Sequence, residues 1–210
     1  MKKEFDTYLF DFDGTLIDSY ESLVYVFEGA YSRVGVKVPD GYTLHLMRVP
    51  LYVGYQELNG PEDEASKKIF GDAIIELLDD PKTLELTKTF KEVKDTLLAL
   101  HKMGKTLGIV TSNNKKHVKE VLKAVAIDEN IFSVIVGNQE SKRHKPYPDP
   151  ILKALELLKI SNDGVAYVGD GMDDMRCAEA SNVFPLLLDR NKEYLNEKYY
   201  TVYTLDELLN

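Results

Sequence analysis

YLFDFDGTLIDS, residues 8–19, decides how this chain is read. The apolar run Tyr8-Leu9-Phe10 ends in Asp11 and Asp13, one residue apart, and Gly14 and Thr15 follow at once. A run this short and apolar reads as a buried strand, with Asp11 at its C-terminal lip and Asp13 in the turn beyond. Carboxylates this close repel each other and share a proton unless a cation lies between them. A hard cation such as Mg²⁺ suits an all-oxygen site with room for water and a phosphate. Gly14 allows the backbone to approach a ligand, and the amides that follow, beginning with Thr15, can hold an anion. Taken alone, the acid pair fits a helix-capping turn equally well. A calcium loop of the EF-hand type is excluded by spacing, since Leu16 and Ser22 stand where its glycine and glutamate belong.

Outward from this stretch the chain changes pattern once. Residues 18–34 carry Leu23, Val26, Phe27, Ala30 and Val34 on one helical face, and Pro39, Gly41, Pro50 and Gly54 break up residues 36–60. Pro61 is expected to open a helix running to Leu78, which Asp79-Asp80-Pro81 stops. Residues 16–85 are thus expected to be helical or irregular, without a strand. From about residue 86, helices at 89–102, 115–124, 149–159 and 173–180 alternate with strands at 106–110, 132–136, 165–168 and 183–188. A strand-like piece at 200–203 precedes a short terminal helix. Alternation of this kind makes an α/β fold with a parallel sheet wound on both faces. The expected architecture is a doubly wound core, residues 1–15 and 86–210, with a small helical domain, residues 16–85, inserted after the first strand.

Size and composition are compatible with that plan. The 210 residues suffice for a sizeable core, and 44% hydrophobic with 29% charged residues is ordinary for a globular chain. A net charge of −9 argues against nucleic acid as a main partner. Cys177 is the single cysteine, so no internal disulfide forms, as in a reducing compartment. With no apolar signal region and no membrane-length apolar run, a cytoplasmic protein without a membrane partner is expected.

In open α/β sheets ligands bind at the carboxyl ends of the strands, so the residues there are the ones to weigh. Thr111-Ser112-Asn113-Asn114 follows one strand and leads into a helix, offering a hydroxyl and free amides for an anion; ordinary capping fits too. His144-Lys145-Pro146-Tyr147-Pro148-Asp149-Pro150 follows the next. Pro146 extends the backbone at Lys145, and Asp149 is expected to cap the next helix. A lysine so placed can neutralise a phosphate or a carboxylate, although a solvated lysine accounts for it as well. Gly169-Asp170-Gly171-Met172-Asp173-Asp174 follows the last, with Asp170 and Asp174 spaced to share one side and Asp173 left to solvent. Each signal is modest. Together they place two acid pairs, a hydroxyl and a lysine at one sheet edge.

These motifs resemble the haloacid dehalogenase superfamily, in its phosphoglycolate-phosphatase-like branch. DFDGTLIDS is similar to its first motif, VTSN to the second, HKPYPDP to the third and VGDGMDD to the fourth, in order between about residues 5 and 190. The helical insert resembles that branch's small cap. The resemblance implies a Mg²⁺-dependent phosphatase acting on a small phosphorylated metabolite. Asp11 is then the nucleophile that forms an aspartyl-phosphate, and Asp13 the acid and base. The metal falls to Asp11, Asp13 through its carbonyl, Asp170 and Asp174. The phosphoryl oxygens fall to Gly14, Thr15, Thr111, Ser112, Asn113 and Lys145. Two departures stand out: Gly171 replaces a usual serine or threonine, and Phe90-Lys91-Glu92 replaces a frequent Tyr-Pro-Gly.

Within the superfamily, Asp13 argues against a dehalogenase, and the lack of a lysine in helix 18–34 against a phosphonatase. A mutase of the β-phosphoglucomutase type, a pyrophosphatase or a nucleotidase would share the motifs. A non-catalytic phosphate-binding regulator would show degraded motifs, and a two-component receiver domain would lack the insert. Within the insert, Arg48 is expected to read the substrate's leaving group, helped by Tyr52 or Tyr55.

Overall fold

The computed structural model describes residues 4–194 and 198–209. The chain forms two compact units, one holding the chain up to Asp18 and from Thr89 onward, the other Ser19–Lys88. The division falls three residues beyond the change of pattern at 15/16 and at 85/86.

The first unit is built on six parallel strands. They are β1 (Thr7–Phe10), β4 (Thr106–Val110), β5 (Val134–Val136), β6 (Val165–Gly169), β7 (Phe184–Leu188) and β8 (Tyr200–Val202), in the order β5-β4-β1-β6-β7-β8. β1 is central, pairing with β4 through Leu9↔Gly108 and with β6 through Leu9↔Tyr167. Leu9 joins a buried cluster with Ile151, Ala154, Cys177 and Ala178, while Tyr8 and Phe10 stack on the opposite face, ring centroids 6.2 Å apart. Burial on both faces explains why this strand reads as an unbroken apolar run. The helices of the unit are α6 (Val93–Lys102), α7 (Lys115–Ala124), α8 (Asp149–Leu158) and α9 (Met172–Ala180). The chain winds from β1 to β4 and β5 on one side, then from β6 to β7 and β8 on the other. The reversal lies between β1 and β6, where such sheets open a crevice.

Two short strands, β2 (Ile17–Asp18) and β3 (Lys88–Thr89), pair where the chain leaves and re-enters the core. β2 overturns the expectation that residues 16–85 hold no strand, and β3 lies just beyond that range. They also move the start of α6 from residue 89 to Val93, because Thr89 is extended and its hydroxyl donates to the Leu16 carbonyl at 2.9 Å.

The second unit contains α1 (Tyr20–Arg33), α2 (Thr43–Leu46), α3 (Leu51–Glu57), α4 (Glu64–Leu78) and α5 (Pro81–Leu86). Val26, Phe27, Ala30 and Tyr31 of α1 bury against Phe70, Ala73, Ile74 and Leu77 of α4. α4 begins at Glu64 rather than at Pro61, because the Asp63 side chain accepts the Ser66 amide at 2.9 Å and so caps the helix later. Tyr55 belongs to this unit's core: it is 6% exposed, packs on Phe70 and donates its hydroxyl to the Pro61 carbonyl. That removes it as a substrate reader, whereas Arg48 and Tyr52 are exposed.

Candidate active site

The site is assembled from four strand ends. Asp11 leaves β1 with its amide still bonded to the Val168 carbonyl at 2.8 Å, which holds it in line with β6. Asp170 and Asp174 follow β6. One carboxylate oxygen from each of Asp11, Asp170 and Asp174 lies within 4.8 Å of the others. Two glycines make this packing possible. A Cβ on Gly14, whose φ is +75°, would stand 2.3 Å from Asp170 Oδ2, and one on Gly169 would stand 2.5 Å from the Asp174 carboxylate.

Lys145 completes the cluster. Its Nζ donates to Asp11 Oδ1 at 2.6 Å and to Asp174 Oδ1 at 2.7 Å, with the lysine side chain 10% exposed. The solvated-surface reading of this lysine is therefore ruled out. Burial works against the Lys145 ammonium, but Asp11 and Asp174 outweigh it and hold its pKa well above the usual lysine value. For Asp11, burial raises the pKa well above the carboxylate range against the pull of Lys145, and the Asp174 and Asp170 charges add to the rise.

Asp174 also accepts the Gly171 amide at 3.0 Å through Oδ2, so it serves the helix terminus and the cluster together. Asp173 points away and pairs with Arg176, as a solvated residue. Asp149 lies inside the first turn of α8, preceded by Pro148, and pairs with Arg143 instead of capping. Thr111 is buried at the end of β4, its Oγ1 accepting the Asn113 amide at 3.1 Å. Asn114 caps α7 through His117, which leaves Thr111, Ser112 and Asn113 unexplained by capping.

The Asp13 side chain is not part of the expected metal set, which takes this residue through its backbone carbonyl. Its carboxylate is outside the three-residue cluster and accepts a hydrogen bond from Asn113 Nδ2. The turn carries the Asp13 side chain to Asn113, in the loop after β4. Asn113, expected at the phosphate, holds Asp13.

Tyr167 is the residue sequence reasoning missed. Wholly buried on β6, its hydroxyl lies 2.9 Å from the Val110 carbonyl and 3.1 Å from Asp174 Oδ1, joining the strand before Thr111 to the acidic cluster. Burial first, then Asp174, keeps this phenol well above its ordinary pKa, so it is a donor here. The available signal was a polar-tipped residue two positions before Gly169 in an otherwise apolar strand.

Residues 8–187 match the haloacid dehalogenase-like hydrolase family. A candidate pyrophosphatase, PpaX, from Caldanaerobacter subterraneus subsp. tengcongensis is 33% identical over 179 residues, covering 83% of this chain and 77% of that protein. A phosphoglycolate phosphatase from Colwellia psychrerythraea is 26% identical over 86% of this chain and 83% of its own length. The crystal structure of a candidate haloacid dehalogenase-like hydrolase from Bacteroides fragilis superposes with a TM-score of 0.79 at 27% identity, over 89% of this chain and 88% of that one. With four matching motifs converging on one sheet edge, the chain belongs to the haloacid dehalogenase-like hydrolases, in their phosphatase branch.

Proposed function

We propose that the protein hydrolyses a small organic phosphate monoester through an aspartyl-phosphate on Asp11, with Mg²⁺ as its cofactor. The observation that carries this reading is the convergence of Asp11, Asp170 and Asp174 at the ends of β1 and β6, with Lys145 bonded to Asp11 and Asp174. Three carboxylates against one ammonium leave a net negative site that would repel a phosphate. A divalent cation reverses that sign, and an all-oxygen donor set with close-packed glycines fits a hard one. Asp11, Asp170 and Asp174 would hold it, together with the Asp13 carbonyl. When bound, it neutralises charge between nucleophile and phosphate.

The chain's own groups supply the rest. An Asp11 oxygen attacks phosphorus as the ester oxygen leaves, and Asp13, starting protonated, gives that oxygen its proton. The Asp13 carboxylate, oriented by Asn113, then takes a proton from the water whose oxygen displaces Asp11 from phosphorus. Inorganic phosphate leaves and both acids are restored. Lys145, the Thr111 hydroxyl and the amides around Gly14, Thr15 and Ser112 stabilise the transferring oxygens, since phosphoryl transfer depends mainly on position and charge. Arg48, in the helical unit, is assigned to the substrate's leaving group, with the exposed Tyr52 four residues further on. A cytoplasmic location fits the single, buried cysteine.

The relatives make phosphoglycolate and pyrophosphate the first substrates to try. Phosphate release from these, from sugar phosphates and from an aryl phosphate should require Mg²⁺ and stop on chelation. Full activity in EDTA would remove the metal from the reading, and no release from any ester would leave a phosphate-binding regulator.

A further inference from the structure

Arg190 follows β7, and no motif includes it. Its Nη1 pairs with Glu92 Oε1, its Nη2 donates to the Thr15 carbonyl at 3.0 Å, and its guanidinium carbon lies 3.8 Å from the Phe90 ring centroid. Glu92 is the residue before α6 and also accepts the Leu205 amide at 3.4 Å. Phe90 and Glu92 flank Lys91 in the stretch that replaces the frequent Tyr-Pro-Gly. The departure thus has a partner 98 residues away.

The turn that Arg190 holds is the one that carries Asp13. Beyond Arg190, this turn touches Asp170: Thr15 Oγ1 donates to Asp170 Oδ1 at 3.4 Å, and Gly14 packs directly on that carboxylate. Arg190 therefore bears on a carboxylate of the acidic cluster through one intervening turn. Its side chain is 16% exposed and that of Glu92 20%, so the pair is largely desolvated. The Arg190 Nε is buried without a hydrogen-bond partner among the described residues. A desolvated ion pair with an orphaned donor is a poor way to gain stability, and apolar packing of similar volume generally does as well or better. What apolar packing cannot supply is a fixed donor on the Thr15 carbonyl.

We propose that Arg190, oriented by Glu92, is a positioning residue that holds the turn 13–17 against Asp170 and so sets the spacing between the Asp11–Asp13 pair and Asp170. The proposal rests on the phosphatase reading above. Arg190 acts only through the turn and reaches no reacting atom.

The test replaces the pair by apolar residues in one variant, Arg190→Met with Glu92→Leu, beside Arg190→Lys. Thermal midpoint, Mg²⁺ affinity by calorimetry, and kcat and KM on an aryl phosphate are measured for each. The double variant should keep its thermal midpoint, lose about tenfold or more in kcat with little change in KM, and bind Mg²⁺ more weakly. Arg190→Lys, keeping the charge but not the two-pronged reach, should recover part of both losses. A folded double variant with kcat and Mg²⁺ affinity within about twofold of the parent would overturn the proposal. So would failure of both variants to fold, which would make the pair structural. A parent protein inactive on every ester would end the phosphatase reading instead, while the Mg²⁺ measurement would still report on positioning.

Discussion

Lys145 Nζ lies 2.6 Å from Asp11 Oδ1, although 134 residues separate the two in the chain. The contact sets a lysine against the proposed nucleophile before any substrate arrives. The same ammonium also pairs with Asp174, so it lets two of the three clustered carboxylates tolerate each other and sets what should happen when it is removed.

Lys145→Ala should lower kcat by about a hundredfold or more, the usual effect of deleting one preorganised charge-stabilising donor. It should also cost about 3–5 kcal/mol of stability in EDTA, because Asp11 and Asp174 stay buried without their cation. Saturating Mg²⁺ should return part of that stability. Denaturant titrations with and without the metal, beside steady-state kinetics, check both statements. An equal stability loss in the two conditions would separate Lys145 from the metal.

Asp11→Asn should fold and release no phosphate, since the amide keeps the shape and loses the nucleophilic oxygen. Trapping with a labelled ester should mark the parent protein transiently and the variant not at all. Turnover by a folded Asp11→Asn protein would end the covalent reading.

Activity should depend on pH and metal jointly. Burial raises the Asp11 pKa in the metal-free site, so as pH falls it takes up its proton earlier than an ordinary carboxylate, and a proton there competes with the cation. Raising Mg²⁺ should therefore move the acidic limb of the rate profile to lower pH. Profiles at two metal concentrations that superimpose would show that the carboxyl cluster is not where metal and proton compete.

Tyr31→Phe should leave activity unchanged and stabilise the helical unit by about 1 kcal/mol. The Tyr31 hydroxyl is buried with no hydrogen-bond partner among the described residues, and burial pushes its pKa up to about 12. Deleting an unsatisfied hydroxyl while keeping the ring should remove a cost. Thermal denaturation of the two proteins decides it, and a lower midpoint for the variant would mean the hydroxyl has a partner after all.

Arg48→Ala should reduce kcat/KM on the best natural phosphate found in the screen and change little on the small aryl ester, if Arg48 reads the leaving group. Assays on both substrates side by side test this. Equal losses on both, or none on either, would take Arg48 out of substrate selection.

Much of the site was legible because its signals are local. A parallel strand buried on both faces must be apolar, so Tyr8-Leu9-Phe10 announced β1 and placed Asp11 at its end. The same argument placed Thr111 after β4 and Asp170 after β6, and a spacing of four put Asp174 beside Asp170. Helix starts were less legible where a later cap or a strand pairing displaced them. Asp63 won over the proline at 61, and Thr89 was drawn into a strand by the Leu16 carbonyl.

What the sequence determined by itself was the α/β order, the helical insert and the residue types waiting at each strand end, because periodicity and turn chemistry act over a few residues. Tertiary structure decided the partners. It gave Lys145 two carboxylates, turned Asp13 towards Asn113, buried Tyr55 in a helical core, and joined Tyr167 to Asp174 and Arg190 to Glu92 and Thr15. Hydrogen bonds and ion pairs form between groups brought together by the sheet, and separations of 98, 100 or 134 residues leave no trace in local pattern.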